Sequence, residues 1–333
     1  MAKTAPHLEV LDIRQSGHWQ FSFRILDEQS VFTDGIPSLK SLHLVGLSSS
    51  NIILPGCTAT SLQLHQCAFI HSSLPFGTSH SFSSITQLII SEIYTERKEW
   101  DTEVIIIPFP SLKALYMRYL VDYDKILSRI VAPELDTLYL ESVSVDEMAD
   151  IIATSQSPES NFSKFPHLRR FTLRLAERRT LSYGLWHAVM EAFQQVTHFT
   201  LLDPDVFDFL EGFSTPDASH VPWPMLEMLS LPNVGAGSPA WAYVKSGSLT
   251  CVQSAVSTRA HMGYPIRKLQ VSPQLFADGA SFWWAEGVDV EVVVNPLSAL
   301  PAVCRVKEWV DWDDAWARKV GLIEGGERIG RGT

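Results

Sequence analysis

Pro133-Glu134-Leu135-Asp136-Thr137-Leu138-Tyr139-Leu140 is a proline followed by leucines two, five and seven places on. Leu138 and Leu140 share one side under the two-residue period of a strand. Proline has no amide to donate, so it is tolerated ahead of a strand but not inside one. The extended form Pro-x-Leu-x-x-Leu/Phe-x-Leu/Ile/Met recurs at Pro6, Pro37, Pro110, Pro166 and Pro224. Of the seven Pro-x-Leu tripeptides in the chain, only that of Pro273 does not continue in this way, so composition alone does not account for the pattern. Each such proline marks where a strand starts.

Without the proline requirement, the apolar triplet occurs ten times, beginning at Leu8, Leu39, Ala59, Ile85, Leu112, Leu135, Leu168, Val196, Leu226 and Ile266. Between the strands lie return segments, several of which read as helices. Ser144-Val145-Asp146-Glu147 is a capping box, with Met148, Ile151 and Ile152 as its buried stripe. Leu181 to Phe193 carries Leu185, Trp186, Val189 and Phe193 at helical spacing, and Asp205 to Leu210 is a shorter candidate. A strand plus a return, stacked in parallel, is the leucine-rich-repeat plan. The fold expected is therefore α/β: an irregular leucine-rich-repeat solenoid with a curved parallel sheet of ten strands and helices and loops on its convex side. Two compact domains meeting between Leu231 and Ile266 are the competing arrangement.

Regular leucine-rich repeats place Asn or Cys three residues after each triplet. Here that column reads Leu47, Cys67, Ile93, Leu120, Val143, Ala176 and Val234, so the turns are expected to be held by packing and not by an asparagine ladder. Near the C-terminus Trp309, Trp312, Trp316 and Val320 fall at helical spacing. The domain reading is thus a solenoid over 1–300 and an amphipathic capping helix with a polar tail over 301–333, a partner-docking helix being the alternative for the tryptophans.

The Pro-x-Leu-x-x-Leu-x-Leu strands, their uneven spacing and the tryptophan-rich tail resemble the leucine-rich portion of mushroom-type fungal F-box proteins. That resemblance implies recruitment of a substrate protein by the repeats, with an F-box joining the adaptor of an SCF-type ubiquitin ligase. The first strand begins at Leu8, which leaves no room for an F-box ahead of it. An adaptor is therefore expected only if an F-box is encoded upstream, and a stand-alone scaffold or decoy is the other expectation.

The 333 residues carry a net charge of −11, which disfavours a general nucleic-acid binder. No apolar run reaches the roughly 18 residues of a membrane helix, and the first residues offer no signal core, so a cytoplasmic or nuclear home is expected. The four cysteines have no metal-type spacing, and the histidines form no His-Glu-x-x-His pair. No nucleophile elbow, P-loop or dinucleotide fingerprint occurs, so neither catalysis nor a cofactor is expected, an unrecognised enzyme being the remote reading.

On the repeat plan, one column of residues faces outward from the concave surface: Asp12, His43, Gln63, Ile89, Tyr116, Tyr139, Thr172, Thr200, Ser230 and Gln270. Its middle gathers Tyr116, Arg118, Tyr119, Tyr139 and Glu141, followed by Arg169, Arg170 and Arg174. Tyr and Arg are the commonest interface anchors, and guanidinium groups match carboxylate and phosphate geometry. These eight residues are the expected binding site for a protein or peptide, acidic or phosphorylated. The plain alternative is that they are solvated strand residues.

Overall fold

The structure, a computed structural model, describes residues 7–14, 37–46, 58–69, 82–92, 94–95, 106–120, 122–155, 164–176, 181–203, 206–214, 221–234 and 245–294. Its centre is one open sheet of eleven strands, all parallel, in which spatial order follows chain order. We number them β1 (Val10–Arg14), β2 (Ser41–Val45), β3 (Ser61–His65), β4 (Gln87–Ser91), β5 (Ala114–Arg118) and β6 (Thr137–Val143). The series continues through β7 (Arg170–Leu175), β8 (His198–Leu201), β9 (Met228–Leu231), β10 (Lys268–Val271) and β11 (Asp289–Val292). The expected register holds across the sheet: Leu11, Leu42, Leu62, Leu88, Leu115, Leu138, Phe171, Phe199, Leu229 and Leu269 lie side by side.

Six helices carry the chain between the later strands: α1 (Tyr123–Arg129), α2 (Val145–Ser155), α3 (Tyr183–Ala192), α4 (Phe207–Ser214), α5 (Lys245–His261) and α6 (Pro273–Glu286). The capping box of α2 forms as read, with the Ser144 amide donating to Glu147 Oε2 at 2.7 Å and the Glu147 amide to Ser144 Oγ at 3.2 Å. The helices cover one face of the sheet, and the strand leucines of that face join their apolar stripes in one continuous core. Phe171, Trp186, Phe193, Phe199, Phe209, Phe213 and Trp223 fill its later half, with ring centroids 4.6 to 6.1 Å apart between successive neighbours.

The prolines do something other than open strands. Pro110, Pro133, Pro166 and Pro224 occupy the second place of tight turns closed by bonds from Leu112 to Phe109, Leu135 to Ala132, Leu168 to Phe165 and Leu226 to Trp223, at 3.0–3.2 Å. Proline suits that place because its fixed φ is already that of the turn. The same turn occurs without proline at Phe82–Ile85 and Phe193–Val196. The residue opening each turn is buried, and five of the six are aromatic: Phe82, Phe109, Phe165, Phe193 and Trp223. Ahead of β4 to β9 the unit is therefore a buried anchor, aromatic in five cases of six, a turn and then the strand.

Neighbouring units are tied by backbone as well as by packing. The carbonyls of Glu9, Lys40, Thr60, Thr86, Lys113, Asp136, Arg169, Thr197 and Glu227 each accept from two successive amides of the next unit, at 2.8–3.1 Å. The residues of this ladder are polar throughout, and Thr60, Thr86 and Thr197 add a hydroxyl bond to the preceding carbonyl at 3.1–3.3 Å. At the other end of the strands Gly46, Gln66, Glu92, Tyr119 and Ser142 all have positive φ, and the first four donate their amides to the following strand. Such φ values are uncommon outside glycine, and their recurrence at one position marks a bend shared by successive units.

The far end holds the one Pro-x-Leu set apart in the sequence and one departure from the sequence reading. The Pro-x-Leu of Pro273 opens α6, with Ser272 Oγ accepting from the Leu275 amide at 3.2 Å, since proline is as well suited to the first turn of a helix. Strand β11 follows directly and was not expected. Register aligns Val290 with Leu269, so the place equivalent to Ile266 is taken by Gly287, the left-handed cap of α6, and the triplet is broken there. The tryptophan-rich segment read as a capping helix over 301–333 lies outside the described residues.

Candidate functional site

The row read as facing outward is a true row of the sheet. Asp12, His43, Gln63, Ile89, Tyr116, Tyr139, Thr172, Thr200, Ser230 and Gln270 are consecutive partners, and Glu291 extends them. Exposure is where the structure corrects the expectation: Tyr116 and Tyr139 are 4% and 6% exposed, and Arg118 and Glu141 are also buried. Bulky side chains at in-register positions pack on one another and not into solvent. Ile89, Tyr116, Tyr139 and Leu202 make a second small apolar cluster, the two tyrosine rings 6.0 Å apart.

Glu141 organises what surrounds it. The register sets it between Arg118 on β5 and Arg174 on β7. Its Oε1 accepts from Arg174 Nη1 at 2.7 Å. Its Oε2 accepts from the Tyr139 hydroxyl at 2.5 Å and stands 3.8 Å from Arg118 Nε. Its backbone carbonyl accepts from the Tyr123 hydroxyl, a phenol that burial pushes well above its usual range. Arg118 also lies over the ring of Tyr119, 4.9 Å from its centroid.

Arg174 is the exposed member, its side chain 48% accessible against 5% for Glu141. Burial works to lower its pKa, but the Glu141 carboxylate and the Tyr119 and Tyr139 phenols outweigh it and hold the value above the ordinary one. Two guanidinium groups share one carboxylate, so the group carries one net positive charge and presents it through Arg174.

Arg169 and Arg170 stand apart from that group. Arg170 begins β7 and Arg174 lies four residues further along it, roughly 13 Å at strand rise. Arg170 faces Asp136 at 3.9 Å instead, and Arg169 is exposed on the rim where the strands start. The eight candidates thus separate into a centre of Tyr116, Arg118, Tyr119, Tyr139, Glu141 and Arg174 and a rim pair of Arg169 and Arg170. The sequence showed that these residues were neighbours along the sheet but not which partners each would meet or how deeply each would be buried.

A serine and a histidine meet elsewhere on this face: His65 Nδ1 is 2.8 Å from Ser91 Oγ. Ser91 is 1% exposed, and its hydroxyl also donates to the Leu64 carbonyl at 3.5 Å. Among the described residues no cluster of three metal-ligating side chains occurs, and no helix is long and apolar enough to cross a membrane. Compared with protein-family models, curated proteins and solved structures, the chain matches none.

Proposed function

We propose that the chain is a non-catalytic recognition module, an irregular leucine-rich-repeat solenoid that binds an acidic or phosphorylated segment of a partner protein at the Glu141 centre. The observation that carries this reading is the in-register row Arg118, Glu141, Arg174, which leaves an oriented, half-exposed guanidinium on a scaffold that the buried carboxylate and the Tyr139 hydroxyl hold in place. In this reading Tyr116, Arg118, Tyr139 and Glu141 position the site, while Arg174 and the half-buried Tyr119 make the contacts. Arg169 and Arg170 widen the footprint along β7.

The repeated aromatic turn and the carbonyl ladder support the solenoid assignment, since each unit is tied only to its neighbours. The resemblance to the leucine-rich part of F-box proteins supports partner recruitment as the task of such an array. Joining a ubiquitin ligase requires an F-box, and a stand-alone scaffold is the reading without one.

A test is to present the full chain to arrays of acidic, phosphorylated, neutral and basic peptides, with single-stranded RNA as a competitor. Retention of acidic or phosphorylated peptides, weakened by salt and not displaced by RNA, is the expected result. Preference for RNA, or equal retention of all peptides, contradicts the proposal.

A further inference from the structure

The last strand offers a second binding surface of a different kind. Among the described residues β11 ends the sheet, paired with β10 alone. The Asp289 amide donates inward to Arg267 O at 3.1 Å and the Val293 amide to Val271 O at 2.8 Å. By the two-residue period the amides and carbonyls of Val290 and Val292 point away from β10, along the outer edge. Val290 and Val292 align with the core residues Leu269 and Val271, but Val292 is 37% exposed and Val294 82%. The apolar layer therefore continues to the edge and is only partly covered there.

Among the described residues β11 is a short edge strand whose protection is its length and its charge. It has no proline, no lysine and no register shift against β10. What it does have is two carboxylates on the opposite face from the valines, Asp289 and Glu291, both exposed. Glu291 is held by Lys268 Nζ at 2.7 Å and Gln270 Nε2 at 2.8 Å.

We infer that the outer edge of β11 accepts an extended peptide as an added strand, one that alternates apolar residues with Lys or Arg. Its backbone completes the bonds of Val290 and Val292, its apolar residues extend the Leu269–Val290 and Val271–Val292 rows, and its basic residues meet Asp289 and Glu291. The same charges argue against a second copy of this chain. Two β11 strands side by side oppose carboxylate to carboxylate, and β1 set against β11 in the sheet's own register brings Asp12 beside Glu291.

The experiment uses the full chain and a fluorescent peptide alternating valine with lysine, followed by anisotropy. Three comparisons are made: the same peptide N-methylated at alternate residues, a peptide with glutamate for lysine, and the Asp289→Lys and Val292→Pro variants. Val292→Pro removes an outward amide while leaving the bonds to β10, and its thermal midpoint shows whether it remains folded. Methylation and Val292→Pro should each weaken binding at least about tenfold, and Asp289→Lys should reverse the preference towards the glutamate peptide. Equal binding of methylated and unmethylated peptide, or an unchanged preference in Asp289→Lys, overturns the inference. If Val292→Pro is unfolded, the methylated peptide and Asp289→Lys decide it. Sedimentation of the chain alone should show no self-association, and dimers abolished by a folded Val292→Pro variant would assign the edge to a second copy and overturn it.

Discussion

Arg118 and Arg259 are both buried and both lie against an aromatic ring, Tyr119 at 4.9 Å and Phe213 at 4.5 Å, yet their charges are answered differently. Arg118 has a carboxylate, Glu141, and shares it with the solvent-facing Arg174. Arg259 has no carboxylate within ion-pair reach among the described residues. It donates to the carbonyls of Pro222 at 2.6 Å and Trp223 at 2.9 Å, its Nε finds no partner, and burial lowers its pKa to about 10. The first arrangement brings charge to a surface. The second spends a charge in the core to fasten α5 to the aromatic turn ahead of β9, and it has no ligand-facing member.

The largest expected effect breaks the first region. Glu141→Ala removes the buried carboxylate that Arg118 and Arg174 both face and should cost about 3–5 kcal/mol in denaturant unfolding. Adding Arg118→Met to that variant should restore more than half of the loss, because it removes the buried charge that Glu141 faced. A double variant no more stable than Glu141→Ala would show that Arg118 is not what the carboxylate compensates.

The second region should respond less. Arg259→Met orphans two carbonyls, at about 1–3 kcal/mol each, but relieves a buried charge that is answered only by carbonyls, so the net loss should be about 1–3 kcal/mol. A loss exceeding that of Glu141→Ala would reverse the contrast between the two arginines. Smaller again, Tyr123→Phe should cost about 1–2 kcal/mol, the net worth of the hydroxyl's two buried bonds, to the Glu141 carbonyl and from the Leu120 amide at 3.4 Å. A loss above about 3 kcal/mol would mean that the hydroxyl supports the whole centre and not these two bonds.

The last effect is one of pH. Lys164 donates to the Leu127 carbonyl at the end of α1, and burial lowers its pKa to about 8. The unfolded chain holds that proton up to about 10.4, so between these values the folded state binds fewer protons and stability rises with pH. Below pH 8 both states are charged and burial penalises the folded one. Lys164→Met, which leaves Leu127 O its bond from the Ile130 amide, should therefore lose any stability advantage over the parent as pH rises from about 8 to 10.4. A difference in thermal midpoint that stays constant across that window would contradict the assignment.

Much of the sheet was legible because its signal is a side-chain period. Ten strands and their register follow from apolar residues that must share one face, and Leu138, Phe171 and Leu229 lie where that period puts them. The missed strand had glycine where the period needs an apolar residue. The buried aromatic before each turn, as in Phe109-Pro110 and Phe165-Pro166, was present in the sequence and would have shown the prolines to be turn residues. The site was legible in membership but not in depth. A strand period says which face Tyr116, Tyr139 and Glu141 occupy, not that their neighbours bury them, whereas the spacing of Arg170 and Arg174 along one strand was already in the sequence.

The account rests on Arg174 being the contact that the buried centre presents. Calorimetry of an acidic or phosphorylated peptide selected on the array, titrated into the parent chain and into Arg174→Ala, tests this most directly. The variant should lose at least about 2 kcal/mol of binding, roughly thirtyfold in affinity, as expected of an interface anchor. Its thermal midpoint should shift by no more than about 2 °C, since a half-exposed ion pair contributes under about 1 kcal/mol to folding. Unchanged affinity in a folded Arg174→Ala variant would contradict the account and remove the Glu141 centre from recognition.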